Sequence, residues 1–547
     1  MKKDHFSKEM GELFDLEKHY SSKMNRKKFL AATSKFAMLS LGATIASSLN
    51  ANPVDAAPKF KEYPFTLGIA SGDPLPDGVV LWTRLAPDPL NGGGMKKNHD
   101  VPVRWEVARD EGFRDVVQHG VEFARAALGH SVHVEVNGLQ PNERYFYRFK
   151  VGNEMSPIGR TKTLPAFGAD VSKMSFAVAS CQHYESGYYT AYKRMAGEDL
   201  DLVLHLGDYI YEDGETEGSV RSHIGPEITT LDDYRNRYAQ YRSDGDLREA
   251  HAKFPWVVVL DDHEVENNWA GEIPQNGQPV EPFIKRRADA FQAYYEHMPL
   301  RRSSMPNGSS IQLYRKFEYG NLVNFNILDT RQYRDDQANN DGWDAPNEES
   351  NNPNRTLLGD EQERWLFASL KNSQARWNVL GQQVFFAQRD YDFDPGEKRV
   401  SMDAWDGYPA ARERVLNFVS EQDIPNLVVL TGDVHSNWAN DIKSDFNDPN
   451  SKTLGVELVA TSITSGRDGS DVRKNTDKIL EENPHIKFFN NQRGYVKCTV
   501  TPEKLQADFR VLPYVTRPDA PISTRASLEV EHNNPGLKKI YDALVTT

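Results

Sequence analysis

From residue 174 onward, short apolar runs alternate with longer polar or amphipathic stretches. Runs at 176–179, 202–206, 257–260, 323–328 and 427–430 are bounded by polar turns, and their length predicts buried strands. Between them, residues 285–295 and 360–370 carry helical spacing, the second with Asp360 as expected N-cap and Glu363 three positions later. Strands alternating with helices predict α/β or α+β layers. The earlier part of the chain has another rhythm. Residues 79–82 are continuously apolar, while 101–107 and 132–136 alternate. Short strands separated by Gly, Pro and Asn predict an all-β sandwich over residues 60–165.

Gly138-Leu139-Gln140-Pro141 ahead of the aromatic stretch from Tyr145 is similar to the late-strand pattern of fibronectin and immunoglobulin-like domains. That likeness implies a Tyr145 side chain bonded back to the preceding loop. Thr161 to Pro165 read as the exit, so a β-sandwich at 60–165 followed by a second domain at 170–547 is expected. Residues 339–355 form a polar, Asn-rich loop, and 534–544 read as a Pro-Gly turn before a helix, over a cleft or docked elsewhere.

Length and composition narrow the classes. At 547 residues, with about 150 per domain as a guide, two to four domains fit. A net charge of −14 argues against a stable nucleic-acid complex, whose affinity comes from Lys and Arg on phosphates. A small phosphorylated substrate remains compatible, because bound metal ions reverse the local field. Cys181 and Cys498 are the only cysteines, too few for a disulfide scaffold.

The first 57 residues read as an export signal with an N-terminal extension. Asn25-Arg26-Lys27-Lys28 is a basic region, residues 36–49 are apolar but interrupted, and Asn52 to Ala57 suit cleavage. Arg26-Lys27 stands where a twin-arginine signal has Arg-Arg, so the Tat and Sec routes both stay open. The expectation is an exported protein, periplasmic or extracellular, that meets the export machinery. An uncleaved membrane anchor is the alternative.

The strand ends carry the chemistry. The run at 176–179 ends in Ser180-Cys181-Gln182, that at 202–206 in Gly207-Asp208 with Tyr211 beyond, and that at 257–260 in Asp261-Asp262-His263-Glu264. The run at 323–328 leads to Asp329 and Arg331, and that at 427–430 to Gly432-Asp433-Val434-His435. If these ends converge, so many carboxylates repel one another unless cations join them. A shared Asp suggests two metals about 3.5–4 Å apart. Cys181, Tyr211 and His435 favour a transition metal, most naturally iron. Asp262 and Asp433 are hard oxygen ligands suited to Ca²⁺, Mn²⁺ or Mg²⁺. Asp261 reads as a structural turn or capping carboxylate.

The segments ASCQ, HLGDYIYE, LDDHEVENNWAG, LDTRQYR, WDGYPAAR and TGDVHSNW, in this order, resemble the PhoD family of alkaline phosphatases, relatives of purple acid phosphatases and calcineurin-like metallophosphoesterases. The resemblance covers nearly all of the chain after the signal. It implies a β-sandwich followed by a four-layer αββα catalytic domain holding Fe³⁺ and Ca²⁺ (Mn²⁺ or Mg²⁺ possible in place of Ca²⁺). Carried over, Cys181, Tyr211 and His435 would bind iron, Asp208 would bridge, and Asp262 and Asp433 would hold calcium. Asn267 is a further metal-ligand candidate, and His263 takes the catalytic histidine's position. Relatives often begin with Asp-x-His where this chain has Ser-Cys-Gln, so the first ligand follows the subfamily.

The expected function is exported hydrolysis of phosphate esters, monoester or diester, by a metal-activated water or hydroxide. Arg331 is the candidate clamp on the phosphoryl oxygens, with a structural pair to Asp329 or Asp335 as its alternative. His263 is the candidate acid for the leaving alkoxide. A monomer is expected. The competing readings are a non-catalytic surface binding protein and a different metallohydrolase.

Overall fold

The computed structural model describes residues 60 to 543 apart from Pro395, and the export-signal reading of residues 1–57 lies outside the described residues. Two mixed sheets dominate. The first has ten strands, in the order Asn534–Asp542, Ser523–Glu531, Lys504–Leu512, Arg493–Val500, Met174–Ala179, Leu202–His205, Pro255–Val258, Ile69–Leu75, Gly78–Arg84 and Ser131–Asn137. The second has seven: Arg315–Tyr319, Val323–Ile327, Trp377–Gly381, Leu427–Thr431, Thr453–Val459, Asn437–Lys443 and Ile486–Asn490. The central strands of each run parallel. Being buried on both faces, they read as unbroken apolar runs, which is why the sequence betrays them.

The inner faces of the two sheets meet. Phe176 of the first stands edge-on to Phe325 of the second, ring centroids 5.3 Å apart, within one core that also includes Val203, Val257, Val379 and Val428. Tyr238 of the helix Leu231–Arg242 and Phe291 of Val280–His297 belong to that core as well. Leu366 of Gly359–Lys371 and Val415 of Pro409–Glu421 join Leu380 and Val429 of the second sheet in another cluster. Among the described residues, no helix is long and apolar enough to cross a membrane.

Residues 60–165 supply a small sheet of Val116–Ala124, Val101–Ala108, Arg144–Val151 and Glu154–Met155, with Gly159–Lys162 pairing Arg144–Val151. Its apolar side shares a core, including Val103, Tyr147 and Phe149, with Val79, Leu81 and Val134. Those last three lie on strands of the ten-stranded sheet, which Ile69–Leu75 joins by parallel pairing to Pro255–Val258. The boundary expected at residue 165 is therefore no break in the structure, because one layer of the sandwich continues the large sheet. The Tyr145 expectation has its bond: the hydroxyl accepts the Gln140 N–H at 2.9 Å. Tyr145→Phe leaves that N–H without its partner and is expected to cost about 1–2 kcal/mol, read as a lowered urea midpoint at unchanged slope.

Two local expectations are corrected. The helix Gly359–Lys371 is preceded by Leu358 at the N-cap, not Asp360, which lies in its first turn; the Thr356 hydroxyl accepts the Gly359 N–H at 2.8 Å. The C-terminal segment is not a helix but the edge strand Asn534–Asp542. A tight turn with Asn533 at φ 57° folds it back on Ser523–Glu531, where hydrogen bonding to the sheet overrides the helix-like spacing.

Candidate metal centre

The parallel strands of both sheets end on the same side of the layers, and the candidate residues stand at those ends. Met174–Ala179 leads to Cys181, Leu202–His205 to Asp208, Pro255–Val258 to Asp261 and Asp262, and Leu427–Thr431 to Asp433 and His435. Cys181, Asp208, Asp433 and His435 have φ of 57°, 57°, 62° and 56°, the left-handed region that non-glycine residues seldom adopt. Such strain persists only where the surroundings over-determine it, and it gathers at functional sites. Here Cys181 N–H donates to the Gly207 carbonyl at 3.1 Å and Gln182 N–H to that of Asp208 at 3.0 Å. The buried Glu264 carboxylate accepts from the N–H groups of Asp208, Tyr209 and Asp261 at 3.2, 2.7 and 2.8 Å. Between the two loops only glycine fits: a Cβ on Gly207, at φ 104°, would stand 2.3 Å from the Cβ of Asp261.

Three groups of ligating atoms result, each with its members within 4.8 Å of one another: Cys181, Asp208 and His435; Asp208, Asp262 and His263; and Asp261, Asp262 and Asp433. Asp208 belongs to two of them. The Tyr211 hydroxyl donates to Asp208 at 2.7 Å and lies 3.2 Å from His435 Nε2 and 2.7 Å from Ser465 Oγ. Asp208 Oδ1, Asp261 Oδ2 and Asp262 Oδ1 are buried without a hydrogen-bond partner among the described residues. Orphaned carboxylate oxygens facing one another are the donor set that cations satisfy.

The electrostatics agree. Burial, then the Asp208 charge, push the Cys181 thiol and the Tyr211 phenol far above their ordinary values. Both would ionise only beside a cation. Burial also pushes Asp433 up to about 7, with Arg331 opposing and Asp403, Asp262 and Asp208 reinforcing. Burial opposes the charge on His263, but Glu212, Asp262 and Asp208 outweigh it and hold the imidazole's pKa well above its usual value. His263 Nδ1 lies 2.6 Å from Glu212, whose other oxygen accepts the Asn267 N–H at 2.7 Å.

One candidate stands differently from expectation. Arg331 is no free clamp: it is fully buried, with Nε on Asp261 at 2.5 Å, Nη1 on both oxygens of Asp403 at 3.0 and 3.1 Å, and Nη2 3.3 Å from Asp433. Its backbone N–H takes Asp329, so the guanidinium serves as counter-ion to surrounding carboxylates. Asn267 contributes its backbone N–H, and its side-chain amide makes no hydrogen bond among the described residues. Its neighbour Asn268 instead donates its N–H to Asp262 at 2.8 Å. Glu212, Glu264, Asp403 and Ser465 escaped the sequence reading. Glu212 and Glu264 lie within the motifs HLGDYIYE and LDDHEVENNWAG, yet nothing in one chain's spacing separates a supporting carboxylate from a surface one.

Strand-end carboxylates, a thiol and imidazoles gathered between two facing sheets define a candidate metal centre of the phosphatase type. The fold agrees with a solved purple acid phosphatase from yellow lupin (Lupinus luteus), TM-score 0.52 at 12% identity, covering 85% of this chain and 74% of that one. The chain belongs to the PhoD-like phosphatase family: its model matches residues 176–509, and the model of the family's N-terminal domain matches 50–165. Alkaline phosphatase D of Bacillus subtilis (strain 168) is 62% identical over 535 residues, 97% of this chain and 91% of that protein. A solved structure of PhoD is similar at 63% identity and TM-score 0.88, covering 90% of this chain and 94% of that chain.

Proposed function

We propose that this chain is a metal-dependent alkaline phosphatase, hydrolysing phosphate monoesters or diesters. The observation that carries the reading is Asp208, shared between two groups of ligating atoms and flanked by buried carboxylate oxygens that make no hydrogen bond among the described residues. Fe³⁺ would be held by Cys181, Tyr211, His435 and Asp208; Ca²⁺, Mn²⁺ or Mg²⁺ would be held by Asp208, Asp262 and Asp433, with Asn267 beside them. Bound there, the cations supply Lewis acidity at the phosphoryl oxygens and acidify a water for in-line attack. His263 is the proton donor to the leaving alkoxide, held charged and oriented by Glu212 at 2.6 Å. Arg331 holds Asp261, Asp403 and Asp433 in place rather than touching substrate.

The finer architectural reading is an Ig-like sandwich leading into αββα layers, supported by the Tyr145 bond and by helices packed outside the paired sheets. Export to the periplasm or beyond is supported by the basic, apolar and small-residue order of residues 25–57. The enzyme acts as a monomer.

The test is elemental analysis of the purified protein beside turnover of p-nitrophenyl phosphate and bis-p-nitrophenyl phosphate. Iron and calcium in whole-number ratio to protein, with turnover of either ester, are expected. Folded protein that takes up no metal after reconstitution would sink the reading. Glu212→Gln tests the role of its partner: kcat is expected to fall about 10–100-fold with little change in KM, because orientation and charge of His263 matter most at the transition state.

A further inference from the structure

The carboxylates around Asp208 outnumber the cationic side chains Arg331 and His263, and a second set of side chains has the opposite imbalance. Arg389 and Arg493 are 5% and 4% exposed, and among the described residues neither forms an ion pair with a carboxylate. The Arg389 guanidinium lies over the rings of Phe385, Trp343 and Trp438, at 4.3, 5.0 and 5.3 Å from their centroids, and its Nε has no hydrogen-bond partner. Arg493 donates Nη1 to the His435 carbonyl and Nε to the Arg467 carbonyl at 2.8 Å. Arg473, more exposed and likewise without a carboxylate among the described residues, donates to the Ser436 hydroxyl. That hydroxyl also accepts the indole N–H of Trp438 at 2.9 Å. The three guanidinium groups are thus tied to one short stretch, 435–438, which begins at His435.

A buried cation without a counter-ion is costly, and aromatic faces repay only part of it. Here the cations also repel: the Arg389 charge depresses Arg473 after burial has done so, and the Arg473 charge does the same to Arg493. In a chain of net charge −14, carboxylates are abundant, yet among the described residues none lies within ion-pair distance of these three, Asp468 acting on Arg493 only from farther away. Planar guanidinium forks match the oxygens of a phosphoryl group.

We propose that Arg389, Arg473 and Arg493 form an oxyanion subsite beside His435 that receives a second phosphoryl group of the substrate. Esters bearing two phosphoryl groups are then favoured over those bearing one. The proposal rests on the phosphatase reading for its consequence, though the subsite itself does not.

The kinetic test compares phosphate release from fructose 1,6-bisphosphate and fructose 6-phosphate by the metal-loaded enzyme, as a ratio of kcat/KM. Arg389→Gln and Arg473→Gln are each expected to lower that ratio about 10-fold or more, since each removes a charge-assisted contact. Arg473 is exposed, so its variant tests the idea even if Arg389→Gln fails to fold. Calorimetric titration with inorganic phosphate is expected to find two phosphates per wild-type chain and one in the double variant. An unchanged ratio in the folded variants, or one phosphate per wild-type chain, would overturn the proposal. If the wild type hydrolyses neither sugar phosphate, calorimetry decides the subsite, and turnover of the p-nitrophenyl esters decides the phosphatase reading separately.

Discussion

Asp208→Asn is expected to lower kcat/KM for p-nitrophenyl phosphate by about 10³-fold or more and to cost the protein its full metal content. The size follows from the position. Asp208 belongs both to the group with Cys181 and His435 and to the group with Asp262 and His263, so one substitution weakens both. Lewis-acid stabilisation is worth several kcal/mol, each 1.4 kcal/mol being roughly tenfold in rate. The fold should hardly suffer. Asn tolerates the left-handed backbone at φ 57°, and the Asp208 N–H bond to Glu264 stays available. Metal analysis and a thermal melt on the same sample check this, because loss of activity with full metal content would remove Asp208 from the bridging role. Cys181→Ala should lose iron first, with calcium less affected, since Cys181 shares a group only with Asp208 and His435.

The sequence made this site legible because parallel strands buried on both faces are unbroken apolar runs, and their ends can be compared. Cys181, Asp208, Asp262, Asp433 and His435 were found in that way, and the structure brings them together. What stayed hidden is set by other forces. Arg331 looked like a phosphate clamp because a guanidinium after a strand end suits that role. Only the fold reveals Asp261 and Asp403 closing on it from loops distant in sequence. Glu264 and Glu212 act by accepting backbone N–H groups and by holding His263, contacts that no residue spacing records. The sharing of strands between the N-terminal sandwich and the large sheet was equally closed, because alternation tells which face is buried but not which strand lies alongside. The C-terminal strand was misread for a related reason: Leu537, Ile540 and Tyr541 have helical spacing, and pairing with Ser523–Glu531 decides otherwise.

Removing the metals should cost the protein progressively more stability, relative to the loaded form, as pH rises. Without cations, burial with the surrounding negative charges lifts Asp433 to about 7, and burial with Asp208 lifts Glu264 to about 8. Asp261 moves the same way, while Arg331 and His263 overcome burial to keep Asp262 ionised. In the unfolded chain these carboxyls lose their protons near pH 4. Between about pH 4 and 8 the metal-free folded protein therefore binds more protons at these site carboxyls than the unfolded chain does. The contribution of the site carboxyls to stability is greatest at the acid end of that window and falls as pH rises through the folded values. Eight imidazoles, His205 and His251 among them, are held neutral by burial and favour the folded state as pH rises, in loaded and metal-free protein alike. His263, raised above its unfolded value, adds a contribution that is likewise lost as pH climbs. The gap in melting temperature between loaded and chelated protein should then widen by roughly 5 °C or more from pH 5 to pH 8. In the loaded protein the cations take the place of those protons and hold the carboxylates ionised, so its melting temperature should be flat or rise over the same interval. Parallel melts with and without chelator check the sign. A gap that stays constant or narrows toward pH 8 would mean that the strand-end carboxylates do not burden one another, and the reason for placing cations among them would be gone.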